Sequence, residues 1–190
     1  MSWIVDIAQY QPANAQEEKD RHNMLSLFRQ YGDGLLFREN EIAHFTSSAF
    51  ILNEALNKVL MVHHTLRDAW AWTGGHVDGS ADFLQVALRE AQEETGVSAC
   101  RPIRPCIASL DILPMFGHVK RGRCVSAHLH LSVAFLLTCS ESEVLRVKPD
   151  ENTAVAWLGT DVFTREAFVP EDVYLYNKLI EKARRWGNPR

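Results

Sequence analysis

The sequence predicts one α/β domain, a mixed sheet with helices on more than one side, preceded by a helical extension. Three observations predict it. Two β-rich apolar runs, HFTSSAFILN from His44 and KVLMVHH from Lys58, lie close together; an amphipathic helix at about residues 81–95 follows a Gly-Gly turn; and later strand-like segments lead into a closing helix near Pro170. A chain of 190 residues, 46% hydrophobic and 23% charged, can bury a real core as one domain.

Taken in order, residues 1–42 read as an N-terminal helical extension and residues 43–190 as the domain. Within the extension a helix over 14–31 has Asn14 as cap, acids Glu17 and Glu18 in its first turn, and an apolar stripe of Met24, Leu25, Leu27, Phe28 and Tyr31. Gly32-Asp33-Gly34 stops it. The two β runs form a hairpin that turns around Glu54 to Asn57. After a loop carrying Arg67 and Asp68, WAWTGGHVDGS reads as a short strand with Trp70 and Trp72 on one face, ended by Gly74-Gly75. The helix from about Ala81 to Thr95 takes Ser80 as cap and Asp82 in its first turn. Strands follow at Cys100 to Leu113, Ser126 to Thr138 and Thr153 to Leu158, separated by the polar loops GHVKRGR and SESEVLRVKPDEN. The last helix opens with Pro170, Glu171 and Asp172 and carries Lys178, Lys182, Arg184 and Arg185 toward its far end, matching its dipole.

Lys and Arg total 20 against 24 acids, a net charge of −4, so no global field draws the chain to nucleic acid or anionic lipid. A small anionic substrate would need a local cation. The start has no basic region leading into an apolar run, and no stretch reaches the roughly 18 apolar residues that span a bilayer. The four cysteines show no C-x-x-C spacing, so reduced thiols and a cytoplasmic protein without membrane partners are the expectation; a homodimer is allowed.

The helix at 81–95 breaks a rule. Leu84, Ala87, Leu88, Ala91 and Thr95 form its core stripe, and Glu90, Glu93 and Glu94 crowd the last turns before Gly96, where the helix dipole disfavours acids. Arg89 offsets only part of the repulsion. One reading is a solvated acidic face. The other is a divalent-cation surface left unpaired by protein cations, since clustered carboxylates are hard-oxygen ligands suited to Mg²⁺.

GHVDGSADFLQVALREAQEETGV, residues 75–97, resembles the signature of the Nudix hydrolase family, G-x5-E-x7-R-E-U-x-E-E-x-G-U with U aliphatic. Gly75, Arg89, Glu90, Glu93, Glu94, Gly96 and Val97 fall in register. Ala81 stands where the family has its first glutamate, which leaves Arg89 with fewer partners, Asp78 and Asp82 being the nearby substitutes. The resemblance implies a Nudix-type α/β/α sandwich over roughly residues 43–186, and Mg²⁺-dependent hydrolysis, with Mn²⁺ as the alternative ion, of a nucleoside diphosphate linked to another moiety. By the same resemblance Glu90, Glu93, Glu94 and the Gly75 carbonyl hold metal, and Arg89, Glu93, Glu94 and Glu151 are the catalytic candidates. The general base comes either from the helix or from the later loop, where Asp150 and Glu143 neighbour Glu151.

For substrate, Ser126, His128, His130 and Ser132 alternate on one side of a strand, and either line the cleft, binding phosphate or a second metal, or face solvent. Arg67, Lys120, Arg121 and Arg123 are the available phosphate-binding cations. Trp70, Trp72 and Trp157 read as core, with stacking on a base as the competing role, and His63, His64 and His76 receive no role. Two other classes compete: a binding module of the same fold that senses a nucleotide derivative without turnover, and a related isomerase, for which Cys106 and Cys124 lie in no matching context.

Overall fold

A computed structural model describes residues 3–120 and 122–187. The extension holds two helices, α1 (Trp3–Gln9), absent from the sequence reading, and α2 (Ala15–Tyr31), followed by a 3-10 turn at Gly32–Leu36. Asn14 caps α2 as expected, its side chain accepting from the Glu17 N–H at 2.9 Å.

The described residues form an eight-stranded mixed sheet. β1 (Ala43–Asn53) and β2 (Lys58–His64) make the expected antiparallel hairpin, with Ile51 opposite Leu60. β1 also pairs with β9 (His128–Cys139) along its whole length, and this pairing is parallel. Short strands complete the sheet: β3 (Ala69–Ala71) on β2, β4 (Thr73–His76) on β1, β5 (Arg101–Pro102) and β6 (Ser109–Met115) on β9, and β10 (Asn152–Gly159) on β2.

Side chains of β1 alternate between two cores. Phe45, Ala49 and Ile51 join one with α3 (Phe83–Thr95), α1 and α2, while Phe50 and Leu52 join another with α4 (Pro170–Gly187). Helices therefore cover both faces, giving the expected α/β/α layering. The extension is part of the first core: Trp3, Ile7, Met24 and Leu35 are buried there, and Trp3 meets Phe45 edge-on at 5.1 Å.

Several expectations are corrected. Gly74 and Gly75 lie inside β4 rather than ending a strand, and Trp70 and Trp72 do not share one strand. The GHVKRGR loop is a small hairpin, β7 (His118–Lys120) with β8 (Arg123–Val125), in which Arg121 falls outside the described residues. Asp82, not Ser80, caps α3, because its carboxylate accepts from the Gln85 N–H at 3.1 Å. Among the described residues no helix is long and apolar enough to cross a membrane.

Candidate active site

Two contacts hold α3 against the sheet, and a glycine ends it. Phe83, Val86, Ala87 and Ala91 fill the core, the Ser47 hydroxyl donates to the Phe83 carbonyl at 2.6 Å, and Gly96 ends the helix in the left-handed region at φ 80°. Two glycines of β4 permit the close approach. A Cβ on Gly74 would lie 2.8 Å from the Ser47 carbonyl oxygen and 2.9 Å from Ser48 Cα, so a side chain there would part β4 from β1. A Cβ on Gly75 would lie 2.5 Å from Glu90 Cδ, so Gly75 makes the cradle in which the Glu90 carboxylate rests.

Glu94 is 5% exposed, and its Oε1 accepts from the Gly74 N–H at 3.2 Å. Burial pushes its carboxyl up to about 8 against that hydrogen bond; the charges of Glu90 and Glu151 push the same way, and Lys148 opposes them. A buried acid held among other acids is what a divalent cation would stabilise, and the donor set of three glutamates and a Gly75 carbonyl is all hard oxygen, so the residues fit Mg²⁺ or Mn²⁺.

The expectation of a surface left unpaired by protein cations is corrected. Arg89 bonds Glu90 at 2.9 Å and approaches Glu93 at 3.6 Å, and Lys148 lies 3.4 Å from Glu93 and 3.1 Å from Glu151. Glu94 is the member that these two cations do not reach by an ion pair among the described residues. Lys148 thus brings the late carboxylate Glu151 to the helix, and buried Asn152 ties the two segments together: its Nδ2 donates to the Glu94 carbonyl at 2.9 Å, and its Oδ1 accepts from the Lys148 N–H at 3.1 Å. Neither Lys148 nor Asn152 carried a sequence signal, because both act across long chain separations.

The remaining candidates fall elsewhere. Ala81 is exposed before α3; Asp78, one suggested substitute, pairs with Arg38, and Asp82, the other, is occupied as the helix cap. Arg67 bonds Asp172 of α4 at 2.9 Å. His128 and His130 do share a side of β9, and there they meet His44 and His76, two histidines the sequence reading had not joined to them.

The glycine cradle yields a paired expectation. Gly75→Ala should displace the flexible end of Glu90, cutting activity by more than tenfold with the fold retained, whereas Gly74→Ala presses on backbone and should cost about 1–3 kcal/mol of stability. Metal titration and denaturant melts of both variants check this; equal effects on the two readouts would refute it.

The comparisons agree with the fold. The model of the NUDIX domain matches residues 43–179. Among solved structures, a NUDIX family hydrolase from Clostridium perfringens superposes with a TM-score of 0.53 at 19% identity, covering 73% of this chain and 96% of its own. An Ap4A hydrolase from C. elegans gives 0.51 at 18%, covering 70% and 93%, and the dihydroneopterin triphosphate pyrophosphohydrolase of E. coli gives 0.53 at 17%, covering 73% and 92%. No curated protein matches the sequence. With the family model spanning most of the chain over this helix and sheet, the protein belongs to the NUDIX domain family.

Proposed function

We propose that the chain hydrolyses a phosphoanhydride bond in a nucleoside diphosphate linked to another moiety, by water attack at phosphorus. The observation that carries this reading is the buried Glu94 carboxyl, pushed up to about 8 beside Glu90 and Glu151 at the end of α3. Glu90, Glu94, Glu93 and the Gly75 carbonyl would hold Mg²⁺, or Mn²⁺ in its place. Bound there, the ion supplies charge neutralisation at the phosphoryl oxygens and a more acidic water.

The chain's own residues do the rest. Gly75 and the Gly74 N–H fix where the Glu90 and Glu94 carboxylates point. Arg89 orients Glu90 and Glu93 in the role that the absent glutamate at position 81 would have supported. Glu93 and Glu151, two half-exposed carboxylates bridged by Lys148, are the proposed acceptors of the attacking water's proton. The substrate in this reading is a small nucleotide-type molecule, in line with the names of the Ap4A hydrolase and the dihydroneopterin triphosphate pyrophosphohydrolase.

A panel of dinucleoside polyphosphates, nucleoside diphosphate sugars, ADP-ribose, coenzyme A derivatives and nucleoside triphosphates, assayed with Mg²⁺ or Mn²⁺, tests the reading. Release of phosphate or nucleoside monophosphate from at least one compound is expected. A compound that raises the melting temperature while none is hydrolysed would overturn it in favour of a sensing module, the reading that the missing acid at Ala81 supports.

A further inference from the structure

Four histidines from three strands converge on the sheet surface opposite the carboxylates. His44 of β1 stands beside His130 of β9 in the parallel register, and His76 of β4 stands beside Thr46, two residues along β1. His76 follows Gly75, so its side chain leaves the opposite face of β4 from the one on which Gly75 meets Glu90. The ring centroids lie 4.9 Å apart for His44 and His76, 5.1 Å for His44 and His130, and 5.1 Å for His76 and His130. Each ring offers one nitrogen, and the three nitrogens all lie within 4.8 Å of one another.

The hydrogen bonds say which lone pairs are available. His44 Nδ1 lies 3.0 Å from the Asn40 carbonyl, which can only accept, so Nδ1 carries the proton and Nε2 presents a bare lone pair. That Nε2 is buried without a hydrogen-bond partner among the described residues, in a residue only 4% exposed. A buried acceptor left in this way calls for an electrophile or a donor. The carbonyl on Nδ1 is also the usual device that orients a metal-ligating histidine. His128 repeats the pattern: its Nδ1 donates to the Ser126 carbonyl at 2.8 Å, so its Nε2 accepts from His130 Nε2 at 3.2 Å and His130 keeps its lone pair on Nδ1. Its ring stacks on His44 at 4.8 Å.

We propose that His44, His76 and His130 form a second metal site, separate from the carboxylate site, that binds one imidazole-preferring divalent cation of the Zn²⁺ class. Nitrogen ligands favour Zn²⁺ and its transition-metal neighbours over Mg²⁺, and three histidines leave a fourth position for water, an anionic oxygen or His128. At Zn–N distances of about 2.0–2.1 Å, tetrahedral ligand nitrogens are roughly 3.4 Å apart, so ring rotations must draw the three nitrogens inward. Burial supports the ligand form, since it lowers the pKa of His44 and lowers that of His130 to about 3, keeping both rings neutral. Arg38 is the cation nearby, and its charge is matched by Asp78. The site does not depend on the hydrolase reading.

Tag-free, chelator-stripped protein titrated with Co²⁺ should show one equivalent giving the visible bands of a low-coordinate nitrogen site, displaced by Zn²⁺. The bands should persist in excess Mg²⁺ and in the Glu90→Gln, Glu94→Gln double variant. They should weaken at least about tenfold in affinity in His130→Ala and in His76→Ala, the latter removing a ring that is only partly buried. Calorimetry and circular dichroism on the same samples establish stoichiometry and fold. Bands that survive both histidine substitutions in folded protein, or that vanish with the glutamate variant, would overturn the proposal.

Discussion

Glu94→Gln is expected to lower turnover by at least about two to three orders of magnitude, the range seen when one preorganised group at a developing charge is lost. The fold should be untouched. In the metal-free chain burial holds the Glu94 carboxyl up to about 8, so at neutral pH it is protonated, and glutamine copies its shape, neutrality and acceptor for the Gly74 N–H. The sign of the pH effect follows. The folded state binds a proton that the unfolded chain releases near 4.5, so this group's contribution is favourable below 4.5 and is lost as pH rises toward about 8. Glu94→Gln has no such window, so the metal-free wild type should lose stability relative to the variant between about pH 4.5 and about 8, and above that the gap should stay constant with the variant the more stable. Adding Mg²⁺ should stabilise the wild type far more than the variant. Unchanged turnover in the glutamine variant would remove Glu94 from the metal set.

Local chemistry made much of this legible. Asn14 before an acidic turn, Gly96 after the last helical turn and Pro170 ahead of two acids each act within a few residues of themselves, and each element boundary lies at or within a residue of where they put it. The crowding of Glu90, Glu93 and Glu94 was readable for the same reason. What was hidden depends on contacts across long separations. Nothing near Lys148 announces that it will bridge Glu93 and Glu151, and nothing near Arg67 announces Asp172. His44, His76 and His130 become one cluster only through the parallel β1–β9 pairing and the short β4 strand, neither of which has a local signature.

The extension presents the second large effect. Glu17 of α2 has no exposed surface, and it accepts from the Tyr10 hydroxyl at 2.6 Å, the Ala13 N–H at 2.7 Å and the Ser109 hydroxyl at 3.1 Å. Lys178 and Lys182 of α4 approach it at 3.2 and 3.6 Å, so one carboxylate joins the extension, β6 and the last helix. Glu17→Ala leaves Lys182 buried with its compensating charge removed and the Ala13 N–H without its acceptor, while the Tyr10 and Ser109 hydroxyls keep only the Ala108 carbonyl and Asp111, which should cost about 3–5 kcal/mol. Burial raises the Glu17 carboxyl, but the Ala13 and Tyr10 hydrogen bonds and the two lysines outweigh it, so the folded pKa lies below 4.5. A depressed acid stabilises fully above its unfolded value and loses that contribution as pH falls through the folded one. Denaturant melts should therefore show the charge-removing Glu17→Gln variant well below wild type at pH 7, with the gap narrowing in acid below 4.5. If the extension were a loosely attached appendage, both variants would melt within about 0.5 kcal/mol of wild type at either pH.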